Sequence, residues 1–342
     1  MTPHAFPQRI AGLPKAELHL HLEGSIRPGV AVELARRHGV ELSEDEVRRR
    51  YDYRNFAEFL DAFKWVTSFL VDPADFALLA TDVAVQLLEQ EVCYAEVTLS
   101  VGVMLLRKQN PQANFEALLE ATESFEKKGL HMNWIFDAVR QFGADMAAEV
   151  VQWAKTCRSP RIVAFGIGGD ELSVATREFR RVYKMAFESG LRRLIHAGEI
   201  GGPEKIREAI DLLEVDRVGH GIAAIHDPRL MDALADRKIA LEVCPTSNLC
   251  TGALGRQLKL VSPTLREHPL PTLLRHGIPV VLSTDDPPMF HVTLAQEYRN
   301  AQVMGLTERE LKRLVSNSFK YSFLPAKEQQ RLHLHLRPAR GA

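Results

Sequence analysis

The chain has 342 residues, long enough to bury a large core. Hydrophobic residues make up 46% and charged residues 25%, a balance that excludes a largely disordered chain. Lys and Arg total 43 against 44 Asp and Glu, so no excess of positive charge exists to draw in a phosphate backbone, and nucleic acid is not an expected partner.

Four cysteines, Cys93, Cys157, Cys244 and Cys250, are too few and too scattered for a disulfide scaffold and fit a reducing compartment. The first residues lack the apolar centre of a signal peptide, and no run reaches the ~18 apolar residues that span a bilayer. A cytoplasmic protein with no membrane partner is expected; the oligomeric state is not legible.

In chain order, short apolar runs predict strands at 16–23, 92–100, 131–139, 162–169, 192–199, 217–222, 240–248 and 279–286. Between most of them, apolar residues at i, i+3, i+4 spacing predict helices, as at 76–89, 115–127, 146–156, 174–189 and 204–213. Strands alternating with helices make a parallel α/β sheet, and eight of them point to a closed (β/α)₈ TIM barrel, with an open doubly wound sheet as the competing architecture. About 68 residues separate the first two strands, far more than a crossover needs. They hold helical stretches at 28–38 and 43–51 and the apolar run Phe56, Phe59, Leu60, Phe63, Trp65, Phe69. We therefore expect one barrel domain over 1–342, with a helical insertion at 28–75 packed on it. One helix of the insertion can act as a lid, its Phe59 and Phe63 offering an apolar wall to a substrate.

The polar residues gather at the strand ends. His19 and His21 share a face of the first strand, and Glu23 is expected to continue it. The fifth strand ends His196-Ala197-Gly198-Glu199, the sixth carries Gly219-His220-Gly221, and the eighth ends Thr284-Asp285-Asp286. In a (β/α)₈ barrel these ends meet on one face, where active sites are built. His19, His21, His196 and Asp285 then form a His₃Asp set of the N/O type that suits zinc, leaving a position for water. Hydrolases with two metals on such barrels bridge them with a carboxylated lysine on the fourth strand; here that strand has none, so one metal per chain is expected.

Other features are weaker. His333 and His335 repeat the His-x-His pattern near the chain end and are read as packing or surface residues. His131, His226, His268 and His276 are assigned structural roles. The cysteines do not form a Pro-Cys-x-x-Cys zinc-binding signature. Gly166-Ile167-Gly168-Gly169 lacks the third spaced glycine of a dinucleotide loop, and no Walker sequence occurs.

Taken together, LPKAELHLHLEGS (13–25), GGDE (168–171), HAGE (196–199), GHG (219–221), CPTSN (244–248) and STDDP (283–287) closely resemble the adenosine deaminase family of the amidohydrolase superfamily. The resemblance implies one zinc ion and hydrolytic loss of a 6-amino group from a purine. It places the metal ligands on His19, His21, His196 and Asp285. Glu199 falls on the group that protonates the purine ring nitrogen beside the reacting carbon. His220 falls on the histidine that orients and helps activate water, with Asp285 sharing the proton. Asp286 falls on the group that binds the five-membered ring of the base, and Gly169 on a backbone contact to another ring nitrogen.

Two positions depart from the family pattern. Glu23 stands where many adenosine deaminases carry an Asp that contacts the ribose 5′-hydroxyl, and Thr98 stands where arginine is usual. Gly169-Asp170-Glu171 keeps the nucleoside-type pattern. Adenosine and 2′-deoxyadenosine are the expected substrates, a modified nucleoside such as aminodeoxyfutalosine is the main alternative, and free adenine is third. A barrel that binds purine or metal without turnover is disfavoured, because Glu199 and every ligand are present.

Overall fold

All eight predicted strands form and run parallel. The computed structural model describes residues 10, 12–53 and 56–335, the side chains of residues 330 and 332–335 excepted. The strands are β1 (Lys15–His21), β2 (Val92–Leu99), β3 (His131–Val139), β4 (Ile162–Gly168), β5 (Arg192–Ala197), β6 (Arg217–His220), β7 (Ala240–Val243) and β8 (Val280–Leu282). They pair in sequence order, and a parallel bridge between Leu20 and Asp285 joins the last strand's end to the first. The Asp285 N–H donates to the His19 carbonyl and the His21 N–H to the Asp285 carbonyl, both at 2.9 Å. The architecture is the expected (β/α)₈ barrel, not an open sheet.

Sequence signals set the helix ends. The crossover helix Pro73–Glu89 begins at Asp72, whose side chain accepts from the Ala74 and Asp75 N–H groups in a reciprocal capping box. Helix Pro111–Glu126 is capped by the Asn110 side chain, which accepts from the Gln112 and Ala113 N–H groups, and both helices carry proline in the first turn, where no N–H is needed. Apolar stripes on these helices pack on the strands: Phe115 meets Trp134 and Phe136 of β3 edge to face, at 6.2 and 5.1 Å between ring centres.

The insertion after β1 contains helices Pro28–Arg37, Glu44–Arg50 and Phe56–Thr67. The third crosses to the loop after β8: Phe59 stacks on Phe290 at 5.2 Å and meets Tyr53 at 5.4 Å, and the Tyr53 hydroxyl donates to the Met289 carbonyl. The Arg107 guanidinium, beyond β2, donates to the Thr67 carbonyl and hydroxyl at the end of this helix.

The strand interior below the site is charged. Arg217, buried, donates to Glu96 of β2 and Glu242 of β7, each at 2.5 Å, and its guanidinium lies over the Phe323 ring. A buried ion is costly unless paired, and two carboxylates pair this one.

Candidate active site

Four imidazoles converge where the strands end. His19 lies 4.7 Å from His196, 5.1 Å from His220 and 5.3 Å from His21 between ring centres, and His196 lies 5.0 Å from His220. Asp285 closes the group, its Oδ1 3.2 Å from His21 Nε2 and 3.5 Å from His19 Nε2. Two members hold a left-handed backbone, His220 at φ 59° and Asp285 at φ 68°. Such a conformation is costly for a residue with a Cβ and recurs where a site dictates side-chain direction.

This cluster fits a divalent metal. His19 Nε2 is buried with no hydrogen-bond partner, while its Nδ1 is 2.7 Å from Glu242 Oε2. A carboxylate holding one nitrogen while the other points bare into a nest of N and O donors is the arrangement of a metal-ligating histidine. His19, His196 and His220 bring ligand atoms within 4.8 Å of one another, and so do His19, Cys244 and Asp285. Geometry thus brings together all four ligands that the resemblance implies and adds His220 and Cys244 beside them.

Glu199 faces His220, its Oε2 3.5 Å from Nε2. Burial, aided by the charges of Asp285 and Glu171, raises the Glu199 carboxyl to about 8, so it holds its proton at neutral pH. Its turn is clamped from below: the Glu171 carboxylate accepts from the Gly198, Ile200 and Gly201 N–H groups. The Gln257 amide donates to the Glu199 and Gly201 carbonyls from the other side. Burial and the Asp285 charge likewise raise Asp286 to about 8, and its Oδ1 has no partner. Gly169 follows β4 at φ 91°, where a Cβ would run into the Gln141 side chain.

Glu23 corrects the sequence expectation. β1 stops at His21, and Glu23 lies in a 3₁₀ turn (Glu23–Ser25) instead of extending the strand. The turn still buries it. Its Oε1 accepts from the Ser100 N–H at 2.9 Å, and Oε2 is buried without a partner. Thr98 is also buried, in β2 opposite His21 in the strand register. Phe59 is buried in the aromatic contact with Phe290, and Phe63 lies half-buried 6.0 Å from it. The His333 and His335 side chains lie outside the described residues.

Sequence reasoning gave no site role to several residues. Ser247 donates to Asp285 Oδ2 at 2.6 Å, and Asn248 lies 3.0 Å from His220 Nδ1. Asp137 of β3 is buried and raised to about 7, chiefly by burial. Glu242 was hidden in a strand of four residues. The signal that could have found Asp137 and Glu242 is a carboxylate inside an otherwise apolar run, which needs a partner. His268, assigned a purely structural place, is buried with its Nε2 3.3 Å from Asn248 Oδ1.

The chain is similar to known proteins in sequence and in fold. The chain is 38% identical over 336 residues to the aminodeoxyfutalosine deaminase of Streptomyces coelicolor, covering 96% of this chain and 84% of that one. It is 33% identical over 330 residues to the adenine deaminase of Rhizobium meliloti, covering 95% and 99%. The crystal structure of an adenine deaminase from Arthrobacter aurescens superposes with a TM-score of 0.87 at 28% identity, covering 95% of this chain and 98% of that one. The family model described as adenosine deaminase matches residues 14–337, a span that takes in every strand and every residue of the cluster, and the chain belongs to that family.

Proposed function

We propose that the protein is a metal-dependent deaminase that replaces the 6-amino group of an adenine ring with oxygen, consuming water and releasing ammonia. One observation carries the reading: the buried Glu199 carboxyl, its proton affinity raised by burial, lies 3.5 Å from His220 Nε2 at the edge of a His₃Asp cluster. His19, His21, His196 and Asp285 would hold one divalent ion, zinc by the chemistry of the donors. When bound there, the ion supplies Lewis acidity, lowering the pKa of water towards about 7.

The protein residues supply the rest. An aromatic C–N bond resists attack until the ring can accept electrons, and Glu199 meets that need by giving its proton to the ring nitrogen beside C6. His220, whose own proton affinity is pushed down to about 3 by burial, stays neutral and orients the attacking oxygen. Asp285, held on Ser247, is placed to take the proton that water loses. Transfer of protons to the amino group lets ammonia leave, giving the 6-oxopurine. Asp286, the Gly169 backbone and Glu23 hold the substrate, and Phe59 and Phe63 close the mouth as part of a lid within 28–75. The unpartnered oxygens of Asp286 and Glu23 support the first and third of these assignments. The four free cysteines accord with a cytoplasmic site of action.

For the substrate, the relatives reported above are named for aminodeoxyfutalosine and for adenine, and the higher identity is to the first. We place an adenine nucleoside extended at the 5′ position ahead of adenosine and 2′-deoxyadenosine, with free adenine as the second reading. Ammonia release from aminodeoxyfutalosine, adenosine, 2′-deoxyadenosine and adenine tests this order. Highest kcat/KM on adenine would overturn the nucleoside reading, and no release from any of them would overturn the deaminase.

A further inference from the structure

A chain of directed hydrogen bonds runs into the site from the segment between β7 and β8. The Leu270 N–H donates to His268 Nδ1 at 3.1 Å. A backbone N–H can only donate, so Nδ1 of His268 is an acceptor and carries no proton. His268 is 3% exposed, and burial beside His220 lowers its proton affinity to about 3, so its single ring proton sits on Nε2. That nitrogen faces Asn248 Oδ1 at 3.3 Å. An amide whose oxygen is engaged on one side presents its NH₂ on the other, and Asn248 Nδ2 lies 3.0 Å from His220 Nδ1. His220 Nδ1 therefore accepts, and its proton is left on Nε2, 3.5 Å from Glu199 and 3.8 Å from Asp285.

We propose that His268 and Asn248 are positioning residues that lock His220 in its Nε2–H form, making it a hydrogen-bond donor to the attacking oxygen and not the base that deprotonates it. The order of polarity has one source, the Leu270 N–H, and each later group has one orientation consistent with it. A neutral imidazole has one donor and one acceptor nitrogen, and its partners decide which is which. With His220 presenting a proton, it favours negative charge growing on the incoming oxygen, and the acceptor for water's proton is Asp285. The use of that proton rests on the deaminase reading; the ring's tautomer does not.

The test is nitrogen-15 spectroscopy of the full-length protein labelled at histidine, metal-free and zinc-loaded. Two-bond proton–nitrogen correlations distinguish Nε2–H from Nδ1–H, and the His220 signals are identified by their loss in His220→Gln. The expected wild-type pattern is Nε2–H. Asn248→Asp places an acceptor against Nδ1 and should switch His220 to Nδ1–H, with kcat falling by about 10²–10⁴-fold, the worth of a positioned proton-handling group, and KM changing far less. His268→Leu frees the amide to turn, so His220 should become a mixture of forms. His268→Gln, which can accept from Leu270 and donate to Asn248, should restore Nε2–H and most of kcat. Nδ1–H in the wild-type protein, or Nε2–H persisting in Asn248→Asp, overturns the proposal. If His268→Leu does not fold, Asn248→Asp and His268→Gln decide it. The expected tautomers in a protein that deaminates nothing would uphold the lock and overturn the function.

Discussion

The Asp286 carboxylate occupies the space that a Cβ on Gly24 would take. Gly24 follows β1 and Asp286 follows β8, so the two ends of the barrel meet with no side chain between them. Asp286 can approach the site only because residue 24 is glycine. The Gly24 backbone does not need positive φ, so alanine there is opposed by this contact and not by conformation. Gly24→Ala should retain the fold and the metal while displacing Asp286. Leaving a buried polar group without its partner costs about 1–3 kcal/mol, so kcat/KM should fall about 5- to 150-fold. Unchanged kcat/KM in a folded Gly24→Ala protein would show that Asp286 does not touch the substrate.

Glu199→Gln keeps the size of the side chain and removes the acid. Turnover should fall by about 10²–10⁴-fold with metal content and melting temperature near wild type. The pH dependence has a definite sign. The carboxyl is raised to about 8 without metal, and a bound cation lowers it, so activity requiring the protonated form should decline as pH rises to or somewhat below that value. The residual activity of Glu199→Gln should lack this alkaline decline. A full alkaline decline in the mutant would assign the titration to another group.

Glu242 links the barrel's buried Arg217 to the histidine cluster. It is held by Arg217 and in turn holds His19 Nδ1, and the Arg217 charge keeps its carboxyl below the usual range despite burial. Elemental analysis should find about one divalent ion per chain, and chelation should abolish activity reversibly. Partners of this kind typically affect metal affinity 10- to 100-fold, so Glu242→Gln should weaken zinc binding by about that factor in a competition titration. Two ions per chain, or unaltered affinity in Glu242→Gln, would contradict the site.

Glu23 should separate nucleosides from the free base. Its Oε1 is committed to the Ser100 N–H, and its Oε2 is buried and free to bind a sugar hydroxyl or a 5′-substituent. Glu23→Ala should lower kcat/KM on nucleosides about 10- to 150-fold, the range for a charged hydrogen bond, and leave adenine within a few-fold. Equal losses on both would mean that Glu23 supports the metal cluster and does not read the sugar.

Periodicity and local chemistry were enough to read the barrel. Alternation in His19-Leu-His21, the i, i+3, i+4 spacing within 76–89 and the eight apolar runs are local signals, and local signals survive in one dimension. The residue types of the cluster were legible for the same reason, since histidines and carboxylates at strand ends are marked by residue type alone. Tertiary structure decided what local pattern cannot carry. Glu23 left the strand yet stayed buried, because packing of the 3₁₀ turn overrode strand alternation. Glu242 became the partner of His19, a residue 223 positions away in sequence, because β7 and β1 flank β8 in the closed barrel and both turn these side chains inward. His268 acquired a tie to His220 through Asn248, because a hydrogen-bond chain depends on direction and distance in space, which no spacing along the sequence records.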